Sequence, residues 1–194
     1  LLSLLPRFYE VDAGRITVDG HDIRRLTLAS LRAQIGVVSQ DVVLFDDTVR
    51  ANIAFGRPGA SDEEIVAAAK AAAAHDFIMA MPDGYDSSVG ERGQKLSGGE
   101  RQRIAFARLV IRRPDIIIMD EATSALDEDS QNHLLGLFEA ELGHATLISV
   151  GHRPGLEDFH DRKITLEKRR AGAHMTSRRL GKSLWRLFRA RDAA

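Results

Sequence analysis

The feature that most constrains the fold is a short apolar run that ends in two acids. Residues 116–121 read IIIMDE. The β-branched residues follow one another without the apolar and polar alternation of a strand that has one face in water. Such a run is typical of a strand in the middle of a parallel sheet, with helices packed on both faces. It therefore predicts an α/β domain.

The remaining segments of strand and helix character alternate in a way that fits this prediction, because strands alternating with helices indicate a largely parallel sheet. Further strands are predicted at GRITVDG (14–20), IGVVSQ (35–40), ATLISVGH (145–152) and RKITLEK (162–168). Helices are predicted at 27–34, 47–55, 61 to about 74, about 99–112 and 127–142.

Composition narrows the class of protein and separates the two ends of the chain. The 194 residues suffice for one ordinary domain, and the absence of cysteine excludes disulfides and thiolate metal sites. No apolar run approaches the ~20 residues that span a bilayer. Residues 168–194 hold nine Lys or Arg and one acid. The sequence therefore predicts a domain over 1–167 and a basic C-terminal tail over 168–194.

Polar side chains stand where three of the predicted strands stop. They are Gln40, the pair Asp120 and Glu121, and His152. Ligands of open α/β sheets bind outside the carboxyl ends of the strands. Asp120 could hold Mg²⁺, and Glu121 could orient or deprotonate a water that attacks a phosphoryl group. A solvated strand end and a structural histidine remain the alternatives at this point.

A second candidate site is the stretch KLSGGERQRIAFAR at 95–108. Ser97, Gly98 and Gly99 stand just before a predicted helix, whose first N–H groups and positive dipole end form a plausible seat for an anion. Ser97 and Glu100 also have the spacing of a capping box, which many ordinary helices carry. By spacing alone the capping explanation is favoured.

Together, LSGGERQRIAFAR, the following IIIMDEATSALD and the strand-end histidine resemble the nucleotide-binding domain of ABC transporters, over about residues 1–167. The resemblance implies a P-loop NTPase-like, mainly parallel sheet with a helical signature subdomain at about 41–112. The matching positions are 96–100 for the signature, 116–121 for Walker B, 124–127 for the D-loop, Gln40 for the Q-loop and His152 for the switch histidine. GERG (90–93) is similar to the loop with which exporters contact their membrane domain.

In that family two such domains dimerise head to tail around ATP and Mg²⁺, and each lies on the cytoplasmic face of the inner membrane against a transmembrane domain. The resemblance implies that the tip residues seat the γ-phosphate of an ATP held by the partner, and that Asp120 serves Mg²⁺. It implies that Glu121 acts on water, that His152 stabilises developing charge and that Gln40 senses Mg²⁺. The residues implied for nucleotide contact are Ser97, Gly98, Gly99, Glu100 and Asp127. No nucleic-acid partner is expected.

The phosphate-loop pattern G-x-x-x-x-G-K-[ST] does not occur in the sequence, since GKS at 181–183 has Thr176 at the first glycine position. The resemblance implies that the sequence begins just after this loop, without the first strands, and is inactive alone. The C-terminal part resembles a different branch, that of bacterial peptide and cobalamin transporters and peroxisomal fatty-acyl transporters. A joint between the two types is expected near 105–128.

Two other functions fit part of the sequence. A soluble ABC-type ATPase acting on nucleic acid or ribosomes would keep the fold, but GERG and the exporter-like VVLFDDTVRANIAFG (42–56) argue against it. A non-catalytic module that binds nucleic acid through the basic tail would show strong salt dependence. The sequence offers no aromatic platform for bases, so this alternative ranks last.

Overall fold

The computed structural model describes residues 2–123, 128–151, 155–169 and 172–181. The strands of this part are β1 (Thr17–Val18), β2 (His21–Asp22), β3 (Ile35–Ser39), β4 (Ile116–Asp120), β5 (Thr146–Val150), β6 (Arg162–Arg169) and β7 (Gly172–Arg179). The α-helices are α1 (Leu28–Ala33), α2 (Val49–Ala54), α3 (Asp62–Ala71), α4 (His75–Met79), α5 (Gly98–Arg112) and α6 (Glu128–Leu142).

The central sheet has the order β3-β4-β5 with all three strands parallel. Ile117, Ile118 and Met119 in the middle of β4 are buried. Ile118 packs in a small cluster with Ile23 and Leu31, whereas its neighbours face the main core. These two clusters confirm the prediction of a central strand that is covered on both faces.

Side-chain caps fix the starts of the predicted helices. Thr27 caps α1 and Thr48 caps α2, each by accepting a bond from the third N–H of its helix. α3 begins with a complete capping box between Ser61 and Glu64. The backbone N–H of Ser61, helped by the Arg57 side chain, holds the pKa of Glu64 below its usual value.

The main core lies between the sheet and a layer of helices, and α5 crosses it. Ile104, Phe106 and Ala107 of α5 have no exposed surface. The segment that follows α2 approaches α5 so closely that a Cβ on Gly56 would lie 2.3 Å from the backbone oxygen of Arg108. Helix α5 is therefore fixed along its length by its neighbours.

Two elements of the first half differ from prediction. The helix expected to reach about Ala74 ends at Ala71, because the N–H of Ala74 bonds to the carbonyl of Ala69 and Ala73 takes a left-handed φ of 51°. The unpredicted helix α4 follows. The strand expected over 14–20 has only the two residues of β1, because Asp19 and Gly20 both take positive φ and reverse the chain at once.

The C-terminal part differs more. β5 was predicted as a buried strand, but its interior residues are only half-buried and both of its ends are exposed. In the described part of the chain β5 pairs with β4 alone, so its other edge carries no strand. β6 confirms the last predicted strand, but it forms an antiparallel hairpin with β7, which was not predicted. The predicted boundary at 167/168 falls inside this hairpin.

Among the residues that the structure describes, no helix combines the length and the apolar character needed to cross a bilayer.

Candidate functional site

The sheet register brings three of the predicted site residues to one edge. Ser39, Asp120 and Val150 are level with one another across β3, β4 and β5. Neighbouring strands lie about 4.8 Å apart, so Gln40 and Glu121, the next residues along the chain, follow at the same edge. Gln40 and Asp120 are exposed and Glu121 is half-buried. His152 and Asp127 lie outside the described residues.

Glu121 sits on a constrained turn. Its φ is 49°, in the left-handed region that costs a non-glycine residue about 1–2 kcal/mol. Its N–H donates to the carbonyl of Val150 at 2.8 Å, which holds the turn against β5. Two residues later, the buried hydroxyl of Thr123 donates to Gln131 of α6 at 2.8 Å. These contacts hold the backbone of Glu121 at the sheet edge, and strained φ values of this kind cluster at functional sites.

The start of α5 forms the complete capping box that the spacing predicts. The N–H and hydroxyl of Ser97 both donate to the Glu100 carboxylate at 2.8 Å, and the N–H of Glu100 donates back to Ser97 at 3.3 Å. This confirms the capping explanation, while the anion seat stays a prediction. Ser97 is exposed and Gly98 and Gly99 are half-buried, so the tip is open to a ligand or a partner. First-turn N–H groups such as those of Gly98 and Gly99 have no carbonyl of their own helix to bond.

The loop before α5 is tied to the helix. The Arg101 guanidinium donates to the carbonyl of Leu96 at 2.6 Å and to that of Gly93 at 3.4 Å. Gly93 has a φ of +74°, and a Cβ there would lie 2.9 Å from a methyl carbon of Leu44. Glycine is thus strongly favoured at position 93, and the loop 90–93 is held against both α5 and the segment that follows β3.

An open cleft of about 600 Å³ lies between the segment that follows β3 and the start of α5. It joins Gln40, predicted at a strand end, to the tip residue Gly98, a juxtaposition that the sequence did not predict. Its other lining residues are Asp41, Val42, Glu91, Arg92, Gln94, Arg101 and Gln102. Gln102 is only 1% exposed, and neither atom of its side-chain amide has a hydrogen-bond partner among the described residues. Leaving such a group unpaired costs about 1–3 kcal/mol.

Exposed apolar side chains follow the cleft residue Val42 along the chain. We call Val43, Phe45 and Phe55 the aromatic patch; they are 65%, 46% and 58% exposed. The two phenylalanine rings are 4.6 Å apart. Sequence reasoning missed the patch, because both rings flank the short helix α2 and follow no periodicity that would reveal them.

Magnesium is the metal that the sequence implies. The described residues contain no group of three or more His, Asp or Glu able to hold a metal ion. Mg²⁺ is nevertheless often bound by one or two carboxylates together with substrate phosphates and water. The exposed carboxylate of Asp120, at the same edge as the amide of Gln40, fits that limited role.

Comparisons with known proteins converge on one family. The model of a family described as "ABC transporter" matches residues 1–124. Over 179 residues the chain is 49% identical to the ATP-dependent lipid A-core flippase of Syntrophus aciditrophicus (strain SB). This alignment covers 91% of the chain and 30% of the flippase. The solved structure of a bacterial Atm1-family ABC exporter with ATP bound is 46% identical to this chain and superposes with a TM-score of 0.83; the match covers 99% of this chain and 34% of that one. The chain thus spans about a third of the length of the proteins it matches.

Proposed function

Because the chain belongs to the ABC transporter family, we propose that it is the ATP-hydrolysing domain of an exporter and couples hydrolysis to transport across a membrane. Two similar proteins are named as a flippase and an exporter, neither as an enzyme of nucleic acid. The single observation that carries the proposal is the register that sets Gln40, Asp120 and Glu121 at one edge of the sheet.

The chemistry follows from that edge. Asp120, aided by the Gln40 amide, would hold the Mg²⁺ that neutralises charge on the ATP phosphates. Glu121, fixed by its strained turn, orients the attacking water and accepts its proton. His152 would stabilise charge on the transferring phosphoryl group from the end of the neighbouring strand.

The second partner is another domain of the same kind. The tip formed by Ser97, Gly98, Gly99 and Glu100 is accessible and carries the positive end of a 15-residue helix. In a head-to-tail dimer this tip closes over the γ-phosphate of a nucleotide held by the other domain, and Asp127 bridges to that site. An incoming phosphate would compete with the Glu100 carboxylate for the Ser97 hydroxyl, so binding rests mainly on the N–H groups of Gly98 and Gly99.

The membrane domain would dock on the cleft and the aromatic patch. Gly98 lines the cleft, and ten residues further along α5 Arg108 contacts both rings of the patch. Ten residues of helix rise about 15 Å. A cytoplasmic helix of the membrane domain, about ten residues long, could place a polar end in the cleft and an apolar side on the patch. The domain then lies on the cytoplasmic face of the membrane.

The test of this function is the substitution Glu121→Gln in the full-length subunit. It keeps the shape of the side chain but removes the base, so ATP hydrolysis should fall by about 10²–10⁴-fold. Binding of MgATP, measured by calorimetry, should be unchanged. Asp12→Asn, an exposed acid far along the chain from the sheet edge, serves as the control. Turnover that survives Glu121→Gln would show that this carboxylate does not activate water.

A further inference from the structure

We propose that Arg108 is a positioning residue that fixes the aromatic patch to helix α5, so that the patch and the Ser97–Gly99 tip move as one body. The inference rests on the proposed function, in which the tip contacts nucleotide and the patch contacts the membrane domain. It names the link between these two contacts.

The hydrogen bonds of Arg108 reach two separate segments. Its Nε donates to the carbonyl of Asn52 at 2.6 Å, and one terminal nitrogen donates to the Asn52 side-chain oxygen at 2.5 Å. The other terminal nitrogen donates to the carbonyl of Val43 at 2.8 Å. One guanidinium on α5 therefore holds both α2 and the segment that carries the patch.

The same guanidinium stacks on the patch. Its central carbon lies 5.4 Å from the ring centre of Phe45 and 5.7 Å from that of Phe55. These are cation–π distances, and desolvation strengthens such contacts. Burial lowers the pKa of Arg108 to about 10, so the group is still charged at neutral pH.

Asn52 extends the link to the backbone of Phe45. Its side chain is fully buried, accepts from the N–H of Phe45 at 2.9 Å and donates to the carbonyl of the same residue at 3.0 Å. The ring of Phe45 is thus held by stacking on Arg108, and its backbone is held by a residue that Arg108 also holds. A displacement of α5 must carry the patch with it.

Lysine cannot replace this arrangement. An ammonium is a point charge without the planar fork that reaches Asn52 and Val43 together. Arg108→Lys therefore keeps the charge and most of the stem while removing the rigid link. Arg112→Lys is a matched control, because Arg112 lies one turn further along α5 and its terminal nitrogen donates to the carbonyl of Arg32, away from the patch.

Hydrogen–deuterium exchange of the full-length subunit, with and without MgATP, tests the link. In the wild type and in Arg112→Lys, MgATP should slow exchange both in peptides covering 97–104 and in peptides covering 43–56. In Arg108→Lys the slowing at 97–104 should remain, whereas that at 43–56 should shrink about tenfold, the size of an ordinary coupling between sites.

The other outcomes separate the inference from the proposed function. If Arg108→Lys transmits the change to 43–56 as fully as the wild type does, the positioning role is overturned and the proposed function stands. If MgATP leaves 97–104 unchanged in the wild type, the proposed function is overturned, and the inference with it. If Arg108→Lys melts at a much lower temperature than the wild type, the same experiment is done with Phe45→Leu, which removes the stacked ring at a partly exposed position. Undiminished slowing of exchange at 43–56 in that variant would also overturn the positioning role of Arg108.

Discussion

The strands β4 and β5 have similarly apolar sequences, IIIMD and TLISV, yet they lie in different environments. The middle of β4 is buried, whereas β5 is half-exposed. Pairing alone does not explain the difference, because β3 and β5 each pair only with β4 in the described part of the chain and β3 still buries Ile35, Gly36 and Val38. The apolar run thus predicts the type of element, but the burial of a strand depends on what packs on its faces.

The same contrast separates two larger regions. In the helical layer of α2, α3 and α5, side chains cap the start of each helix and Arg108 of α5 bonds to α2 and to the segment before it. Several side chains of this layer are fully buried. The hairpin of β6 and β7 exposes Ile164, Leu166 and Met175, which are 48–63% exposed and share one face by register. Contacts within the domain therefore stabilise the helical layer, and the hairpin contributes little to that stability.

The largest expected effect is a difference in stability between these regions. Phe106→Ala removes a fully buried ring from the helical layer and should lower the free energy of unfolding by about 3–5 kcal/mol. Leu166→Ala, in the hairpin, should change it by less than about 0.5 kcal/mol. Urea denaturation of the two variants measures both values. Equal losses would show that the hairpin face is covered after all.

A pair of glycines sharpens the comparison. Gly93 and Gly59 both take positive φ. A Cβ added at position 93 would press on Leu44 and Arg101, whereas one added at position 59 would meet no atom within 4 Å. Both alanine variants should lose the left-handed preference, about 1 kcal/mol, and Gly93→Ala should lose about 1–3 kcal/mol more from overpacking. Thermal melts of both variants give the difference. Matching melting temperatures would mean that Leu44 and Arg101 yield at no cost.

Replacing Gln102 is expected to raise the stability of the domain rather than lower it. Gln102→Leu removes a buried amide without a partner, so it should raise the melting temperature of the domain by about 2–4 °C, equivalent to about 1 kcal/mol. Gln94→Leu, at an exposed position of the same cleft, is the control and should leave it unchanged. A lower melting temperature for Gln102→Leu would indicate that the amide is satisfied in solution, for instance by water.

The smallest expected effect is a loss of stability at acidic pH. The pKa of Glu64 is lowered in the folded state by the Ser61 N–H, so its cap stabilises α3 at neutral pH. That contribution is complete above the ordinary pKa of 4.5 and is lost as the pH falls through the folded-state value. The wild type should therefore lose more stability than Glu64→Gln between pH 5 and pH 3, measured by urea denaturation. Parallel pH curves would contradict the cap.

The sequence predicted the parts of the fold that local chemistry decides. The β-branched run of β4 and the Ser-to-Glu spacing before α3 and α5 each have one dominant physical outcome, and the structure confirms them. The end of α3 was missed because an alanine, Ala73, takes the left-handed position that glycine usually occupies. Strand β7 was missed because its polar sequence carries no apolar alternation.

The candidate site divides in the same way. Gln40, Asp120 and Glu121 could be predicted together, because parallel strands align their carboxyl ends. The cleft and the contact of Arg108 with Asn52, 56 positions apart, depend on tertiary packing and leave no local pattern. The roles of the predicted residues stay predictions until they are tested.

The most direct test is whether nucleotide draws two copies of the α5 tip into one closed assembly. These 194 residues contain no cysteine, so Lys95→Cys, two residues before Ser97, adds a single thiol to them and can carry a spin label once any cysteines elsewhere in the subunit have been replaced. In full-length subunits that also carry Glu121→Gln, MgATP should shorten the distance between the two labels, measured by double electron–electron resonance. Adding Gly98→Asp, which sets a negative charge against the phosphate, should abolish that shortening. A label distance that is the same with and without MgATP, or a shortening that survives Gly98→Asp, would contradict the account.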